Sequence, residues 1–175
     1  MANTYVQIGS TVTVGSGGAS SISFSSIPAT YTDLKVVTSL RATGSRGEDA
    51  LLVRFNSDST AANYTIRWIR GNGSAVTVGD GGGFAGGYVG EFNGGTSTTS
   101  TFTSEEIYVP NYAGTNKKSF SSDITQEANQ AFAYAHLVAG LWSGTAAITD
   151  ITFIDHNGNN FAEYSTASLY GIKSS

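Results

Sequence analysis

Cysteine is absent from the 175 residues, and the chain has only two prolines and one methionine. Without thiols there is no disulfide, no zinc–thiolate or iron–sulfur centre and no thiol nucleophile, so the fold is indifferent to redox state. Charge is scarce as well. Only 13% of the residues are Asp, Glu, Lys or Arg, about half the usual share. Nine Lys and Arg oppose thirteen Asp and Glu, for a net charge of −4, and no basic run occurs. That argues against a nucleic-acid partner, because phosphate neutralisation needs clustered positive charge. Long hydrophobic runs are missing too. The longest mainly apolar stretch, residues 131–142, is broken by His136 and Gly140 and falls well short of the ~20 residues that span a bilayer. The N-terminal MANTYVQIGSTVTV has neither a basic n-region nor an apolar h-region. The reading therefore expects synthesis in the cytoplasm and no membrane partner.

What the chain has in quantity is glycine, 22 residues, with many Ser, Thr and Asn. A surface built from these suits β-rich proteins that pack against other protein. Short alternating runs of Val, Ile, Thr, Tyr and Phe recur between Gly, Asn and Ser clusters, the signature of a β-sandwich or barrel. The spacing predicts strands over 5–14, 21–24, 34–40, 51–55, 64–69 and 75–78. Six more follow over 84–92, 99–109, 119–125, 131–142, 148–155 and 161–172. Leu51, Val53 and Phe55 share one face with Leu52 and Arg54 on the other, and Tyr64, Ile66 and Trp68 lie opposite Thr65 and Arg67, the period of a half-buried strand. The Ala-rich stretch 126–139 shows no 3.6-residue stripe and reads as mostly strand. Gly71-Asn72-Gly73 and Asn157-Gly158-Asn159 supply residues that tolerate positive φ, as tight hairpin turns require. Pro28 and Pro110 stand where strands start or stop. No composition break divides residues 1–175, so one domain is expected, with residues 1–14 as an N-terminal arm or edge strand.

The candidate sites read blandly. Gly81-Gly82-Gly83-Phe84-Ala85-Gly86 fits G-x-G-x-x-G, but a dinucleotide loop must open a helix, and the residues after it cannot begin one. Residues 155–160 resemble the start of a calcium loop, yet position six is Asn160 and position twelve Thr166 where an EF-hand needs Gly and Glu. Glu163 could reach a cation there, and a polar β-turn is the simpler reading. His136, among apolar residues, is expected to be a core or interface imidazole with one hydrogen bond, and His156 a turn residue. Gly140-Leu141-Trp142-Ser143-Gly144 places its serine one position too late for a nucleophile elbow. Glu48-Asp49 and Glu105-Glu106 are adjacent in sequence, so strand geometry sends each pair to opposite faces. The more distant Asp123 and Asp150 stay open as a pair, and a solvated surface is the expectation for all these acids. Tyr31, Tyr64, Trp68, Tyr88 and Tyr112 could form a sugar-stacking platform, although the alternation around Trp68 favours core. No catalytic, cofactor-binding or metal-binding residue is assigned, and no enzyme is expected.

One set of motifs carries a resemblance. Residues Ile27-Pro28-Ala29-Thr30-Tyr31-Thr32-Asp33-Leu34 open it. Leu52-Val53-Arg54-Phe55-Asn56-Ser57-Asp58 with Asn63-Tyr64 continue it, and Phe161-Ala162-Glu163-Tyr164-Ser165 with Leu169-Tyr170-Gly171-Ile172-Lys173 close it. Tyr112-Ala113-Gly114-Thr115-Asn116-Lys117-Lys118 and Gly140-Leu141-Trp142-Ser143 belong to the same set. On these the chain resembles small virion structural proteins of tailed bacteriophages over residues 20–173, with the Gly-rich stretch 79–95 as the variable part. The resemblance implies an antiparallel, jelly-roll-like β-sandwich located on the virion. It implies a capsid decoration (cement) protein that binds the major capsid protein, with a homotrimer suited to sites of local three-fold symmetry. The alternative is a receptor- or carbohydrate-binding module of a tail or head fibre. Residues 1–14 are then expected to reach the capsid or a sister subunit.

Overall fold

The computed structural model describes residues 4–130 and 133–173. Twelve strands follow one another: β1 (Tyr5–Thr13), β2 (Ile22–Phe24), β3 (Asp33–Leu40), β4 (Glu48–Phe55), β5 (Tyr64–Gly71) and β6 (Val76–Gly81), then β7 (Gly87–Asn93), β8 (Thr103–Pro110), β9 (Lys118–Gln126), β10 (Tyr134–Trp142), β11 (Ile151–Asp155) and β12 (Thr166–Ile172). Among the described residues the only helical element is a 3-10 turn, Ala61–Asn63. No helix among the described residues is long and apolar enough to cross a membrane.

The strands form two antiparallel sheets. The large one runs β1-β12-β3-β8-β9-β10-β5-β6 and the small one β2-β11-β4-β7. The chain crosses between sheets at most connections, since β2, β4, β7 and β11 lie in the small sheet and the strands between them in the large one. That alternation is the antiparallel jelly roll. The β9–β10 hairpin inserted beside β8, and the β12–β1 pair beyond β3, widen the large sheet to eight strands.

Period two explains why the sheets face each other. Along β8 and β9 buried and exposed residues alternate strictly, so one face of each strand enters the core and the other meets water. A continuous apolar core draws on both sheets, with Leu34, Val36, Ile66, Phe120 and Val138 from the large one and Leu51, Val53, Phe55, Phe92 and Phe153 from the small one. Phe55 meets Phe120 edge-on at 5.5 Å and Trp142 at 5.8 Å, tying the two sheets together. In the large sheet, a Cβ at Gly140 would collide with the Phe120 ring, so that ring packs flat over the neighbouring strand.

All twelve expected strands exist, with shifted ends. The strand expected from residue 84 starts at Gly87, because Gly83 and Gly86 carry φ of +88° and +158° and hold the chain out of the ladder. The stretch 126–139 yields β10 as expected, though residues 131 and 132 lie outside the described residues. The turn Gly71-Asn72-Gly73 closes the β5–β6 hairpin: Asn72 N–H donates to the Ala75 carbonyl at 3.1 Å, and Gly73 takes φ +82°. The turn Asn157-Gly158-Asn159 is not a hairpin. It begins the crossover from β11 in the small sheet to β12 in the large one. Leu52 is buried, not wet, because a bulge after Leu51 shifts the β4–β7 register and the backbone at Gly86 covers it. β1 pairs with β12 in register Tyr5↔Ile172, so it is an edge strand of the large sheet.

The motifs around Asn56–Asp58, Asn63–Tyr64 and Trp142–Ser143 meet at one end of the sandwich. Asp58 accepts from the Trp142 indole N–H at 2.8 Å, the Asn63 side-chain amide at 2.8 Å and the Thr60 backbone N–H at 2.9 Å. The Tyr64 hydroxyl donates to the Asp58 carbonyl at 3.0 Å and accepts from the Phe55 N–H at 3.1 Å. Ser143 donates to Asn63, and Asn56 Oδ1 accepts the N–H groups of Thr149 and Asp150. Burial raises the pKa of Asp58, but these donors overrule it and hold the carboxyl down at about 2.

Candidate functional site

The opposite end of the same strands is built differently. There β4 begins, β5 and β11 finish and β10 starts, and a cleft of about 840 Å³ opens between the β5–β6 hairpin, residues 80–84 and the β4–β7 pair. Trp68, Phe84, Tyr88 and His156 give it aromatic walls, and Glu48, Asp49, Asp80 and Glu91 give it carboxylates, with Arg46 at the rim. A Cβ at Gly79 would collide with the Trp68 ring, so glycine lets the indole lie along β6. Phe84 stacks near Tyr88 at 6.0 Å and meets the His156 ring edge-on at 4.7 Å.

Arg70 braces two of the lining residues, Glu91 and Trp68. Its guanidinium lies 3.6 Å from Glu91, 4.4 Å from the Tyr134 ring centre and 5.3 Å from that of Trp68. The Tyr88 hydroxyl donates to Glu91 Oε1 at 3.2 Å. Burial, with Glu48 adding like charge, pushes Glu91 up to about 6 against the pull of Arg70. Glu48 is raised mainly by burial. Tyr88 is raised far above its ordinary value by burial and by Glu91. A site of this kind offers stacking surface and hydrogen-bond acceptors.

His136 is buried here as expected, but it lacks the expected hydrogen bond. Both ring nitrogens are without partners, and the imidazole instead stacks on Trp68 at 6.3 Å and 10°. Its cross-strand neighbours are Ile124 and Arg70, which offer no acceptor. Burial, then Arg70, lowers its pKa to about 4, so the ring is neutral near pH 7.

Not all the acids are solvated. Strand geometry does send Glu105 inward and Glu106 outward. Glu105 is enclosed, accepting from Ser122 Oγ at 2.9 Å and Thr38 Oγ1 at 3.4 Å. Burial pushes it up to about 8 against those two bonds, so it is mostly a neutral acid at pH 7. Asp49 is buried too. Asp123 stands exposed on β9, whereas Asp150 precedes β11 and binds Ser57, so the two belong to different sheets. Of the five aromatics considered for sugar stacking, only Trp68 and Tyr88 reach the cleft. Tyr64 and Tyr112 are core, and Tyr31 packs over Gly171. The glycine run 81–86 joins strand to strand, without the helix that a dinucleotide loop needs. Sequence reading missed Arg70, Glu91 and Phe84. Arg70 and Glu91 carried one signal, a charged residue on an inward-facing strand position, and Phe84 in the loop between β6 and β7 carried none.

A second feature lies on the solvent face of the large sheet. Leu137, Ile69 and Val78 are directly opposite one another across β10, β5 and β6, and they are 57%, 44% and 74% exposed. Val76, in the next row, is 66% exposed. No described strand pairs with the far side of β6, whose sequence VTVGDG has no Lys or Pro to blunt it. Such an edge is a template for pairing with another chain.

No family model matches the chain, and no curated protein matches it. Among solved structures it is similar to a galectin, LEC-6 of Caenorhabditis elegans, at 7% identity over 94% of this chain and 96% of that one, with a TM-score of 0.34. That likeness is too distant to bear on how either molecule works.

Proposed function

We propose that this chain is a non-enzymatic structural protein that docks onto other protein through the solvent face of its large sheet beside β6. The observation that carries this is the apolar row Leu137–Ile69–Val78, extended by Val76, at an unpaired edge. Isolated exposed apolar residues are ordinary, whereas a contiguous patch at an open edge favours burial against a partner. With the sequence resemblance, the assembly is the virion of a tailed bacteriophage. There the chain decorates the capsid, binds the major capsid protein and reinforces the shell through many weak contacts, with a trimer matching the local three-fold sites.

Immunogold electron microscopy of intact virions tests the location: gold over the heads supports decoration, and gold confined to the tail tip rejects it. Co-sedimentation with capsids tests the surface. Burying four apolar side chains stabilises binding by roughly 1.5–3 kcal/mol each before ordering costs. The double variant Val78→Asp, Leu137→Asp is therefore expected to lose at least tenfold in affinity while staying folded. Unchanged binding by that variant would reject the surface.

A second reading rests on the cleft. Trp68, Phe84 and Tyr88 beside Glu48 and Glu91 fit a carbohydrate-binding module of a fibre, with sugar rings stacked on aromatics and hydroxyls donating to carboxylates. A glycan array with the wild-type chain and Trp68→Ala decides it: glycans retained by the first and lost by the second support it, and a blank array removes it.

A further inference from the structure

Two carboxylates lie inside the protein where β4 and β11 meet at the turn of residues 155–160. Asp49 is 1% exposed and Asp155 is 3% exposed. Asp155 pairs with Leu51, two positions from Asp49, so both side chains share one face of the small sheet. The Oδ1 atoms are served. Asn157 Nδ2 donates to Asp49 Oδ1 at 2.8 Å, and the Asn157 backbone N–H donates to Asp155 Oδ1 at 2.6 Å. Asn159 Nδ2 lies between them, 3.4 Å from Asp49 Oδ1 and 3.5 Å from Asp155 Oδ1. The Oδ2 atoms are not served. Both are buried without any hydrogen-bond partner, and the ion pairs among the described residues lie elsewhere, at Lys35–Glu106, Arg67–Asp80 and Arg70–Glu91.

Two neighbouring buried carboxylates, each with an idle oxygen, call for positive charge. We propose that Asp49 and Asp155, with the side-chain amides of Asn157 and Asn159, hold a hard divalent cation of the calcium class. All the donors are oxygens, as such ions require, and Asp49 and Asn157 border the cleft, from which water completes the six to eight ligands. In the structure the amide nitrogens face the carboxylates. A half-turn of either amide presents its oxygen instead. No group of three or more His, Cys, Asp or Glu is placed to hold a metal among the described residues. Only two charges serve the site, so its affinity falls in the weak range, roughly 0.1–1 mM. The proposal is independent of the docking surface.

Thermal unfolding of the full chain tests it, with calcium, magnesium or chelator at constant ionic strength. At 10 mM calcium the wild type is expected to gain about 3–10 °C in Tm, with a smaller gain in magnesium. Asp49→Asn is expected to unfold higher than the wild type in chelator, through relief of repulsion, and to lose the calcium response. Asn157→Ala, which keeps both charges, is expected to weaken the response about tenfold in calcium concentration. Should Asp49→Asn fail to fold, calorimetric titration of Asn157→Ala against the wild type carries the test. A wild type indifferent to calcium would overturn the site. So would an Asp49→Asn chain that responds like the wild type, or one that is stabilised while the wild type ignores calcium, which marks a held proton.

Discussion

The two ends of the sandwich contain the same kinds of residue and treat them in opposite ways. At the Asp58 end one carboxylate receives three donors, and an indole, an amide and two hydroxyls close around it. At the cleft end Glu48, Asp49, Asp155 and His136 keep buried polar atoms without partners. Both ends belong to the same β4, β5, β10 and β11. The difference lies in what the capping loops donate: residues 58–63 and Ser143 complete the bonds at one end, and at the other the strand residues Glu48, Asp49, His136 and Asp155 keep idle atoms. A saturated end fixes geometry. An unsaturated end leaves polar capacity for something that is not part of the chain, because idle buried groups cost about 1–3 kcal/mol each.

The largest way to break this contrast is Asp58→Ala. It strips the acceptor from Trp142, Asn63 and Thr60, and a loss of about 4 kcal/mol is expected at about 1–1.5 kcal/mol per bond, read by urea unfolding. Asp58 is held low, so its stabilisation is present above the ordinary carboxylate range and is lost as pH falls toward about 2. Acid unfolding near pH 2–4 should therefore be weaker in this variant.

Glu105→Gln sharpens the comparison at mid-sheet, where two hydroxyls are too few donors for a charge. The folded protein keeps its proton up to about pH 8 while the unfolded chain ionises near its ordinary value. Wild-type stability therefore falls as pH rises from about 4.5 to 8. Glutamine removes that slope, with a gain of roughly 3 kcal/mol expected at pH 8, measured as the difference between unfolding curves at pH 5 and pH 8.

The smallest effect is expected at His136. A base held near pKa 4 costs stability as pH falls from about 6.5 to 4, while Glu91, raised to about 6, adds stability as pH falls from about 6 to its ordinary value. Glu91 offsets part of the His136 effect in the wild type. His136→Phe, which keeps the stacking and removes two idle nitrogens, is expected to gain about 1 kcal/mol at pH 7 and to unfold higher at pH 5 than at pH 7. Because Glu105 carries a slope of the same sign over this range, the Glu91 contribution is read in the His136→Phe, Glu105→Gln double variant, where a flat profile would mean that Glu91 ionises normally.

The strands were legible because period two and Gly–Asn punctuation are local properties. Tyr64, Ile66 and the alternating residues of β8 and β9 announce their buried faces from neighbours one and two positions away. The cleft was not legible. Asp49 and Asp155 are far apart in sequence and meet only because β4 pairs with β11, and Arg70 reaches Glu91 only across two sheets. The motif Asn56–Asp58 with Asn63–Tyr64 was visible as a pattern, but its meaning as a hydrogen-bonded anchor required Trp142 and Ser143 from β10 and the loop after it. Sequence alternation says which way a side chain points. It does not say what the side chain meets.

The position of β12 has a consequence in time. It lies between β1 and β3 and bonds to both, in registers such as Ile8↔Leu169 and Val36↔Leu169. On a ribosome, β1 therefore waits for β12, and β3 keeps one edge open until β12 has emerged. Long-range pairing of this kind slows folding and lengthens the interval in which nascent edges can find the wrong partner. The pairing of β12 with both β1 and β3 acts as the latch that ends that interval.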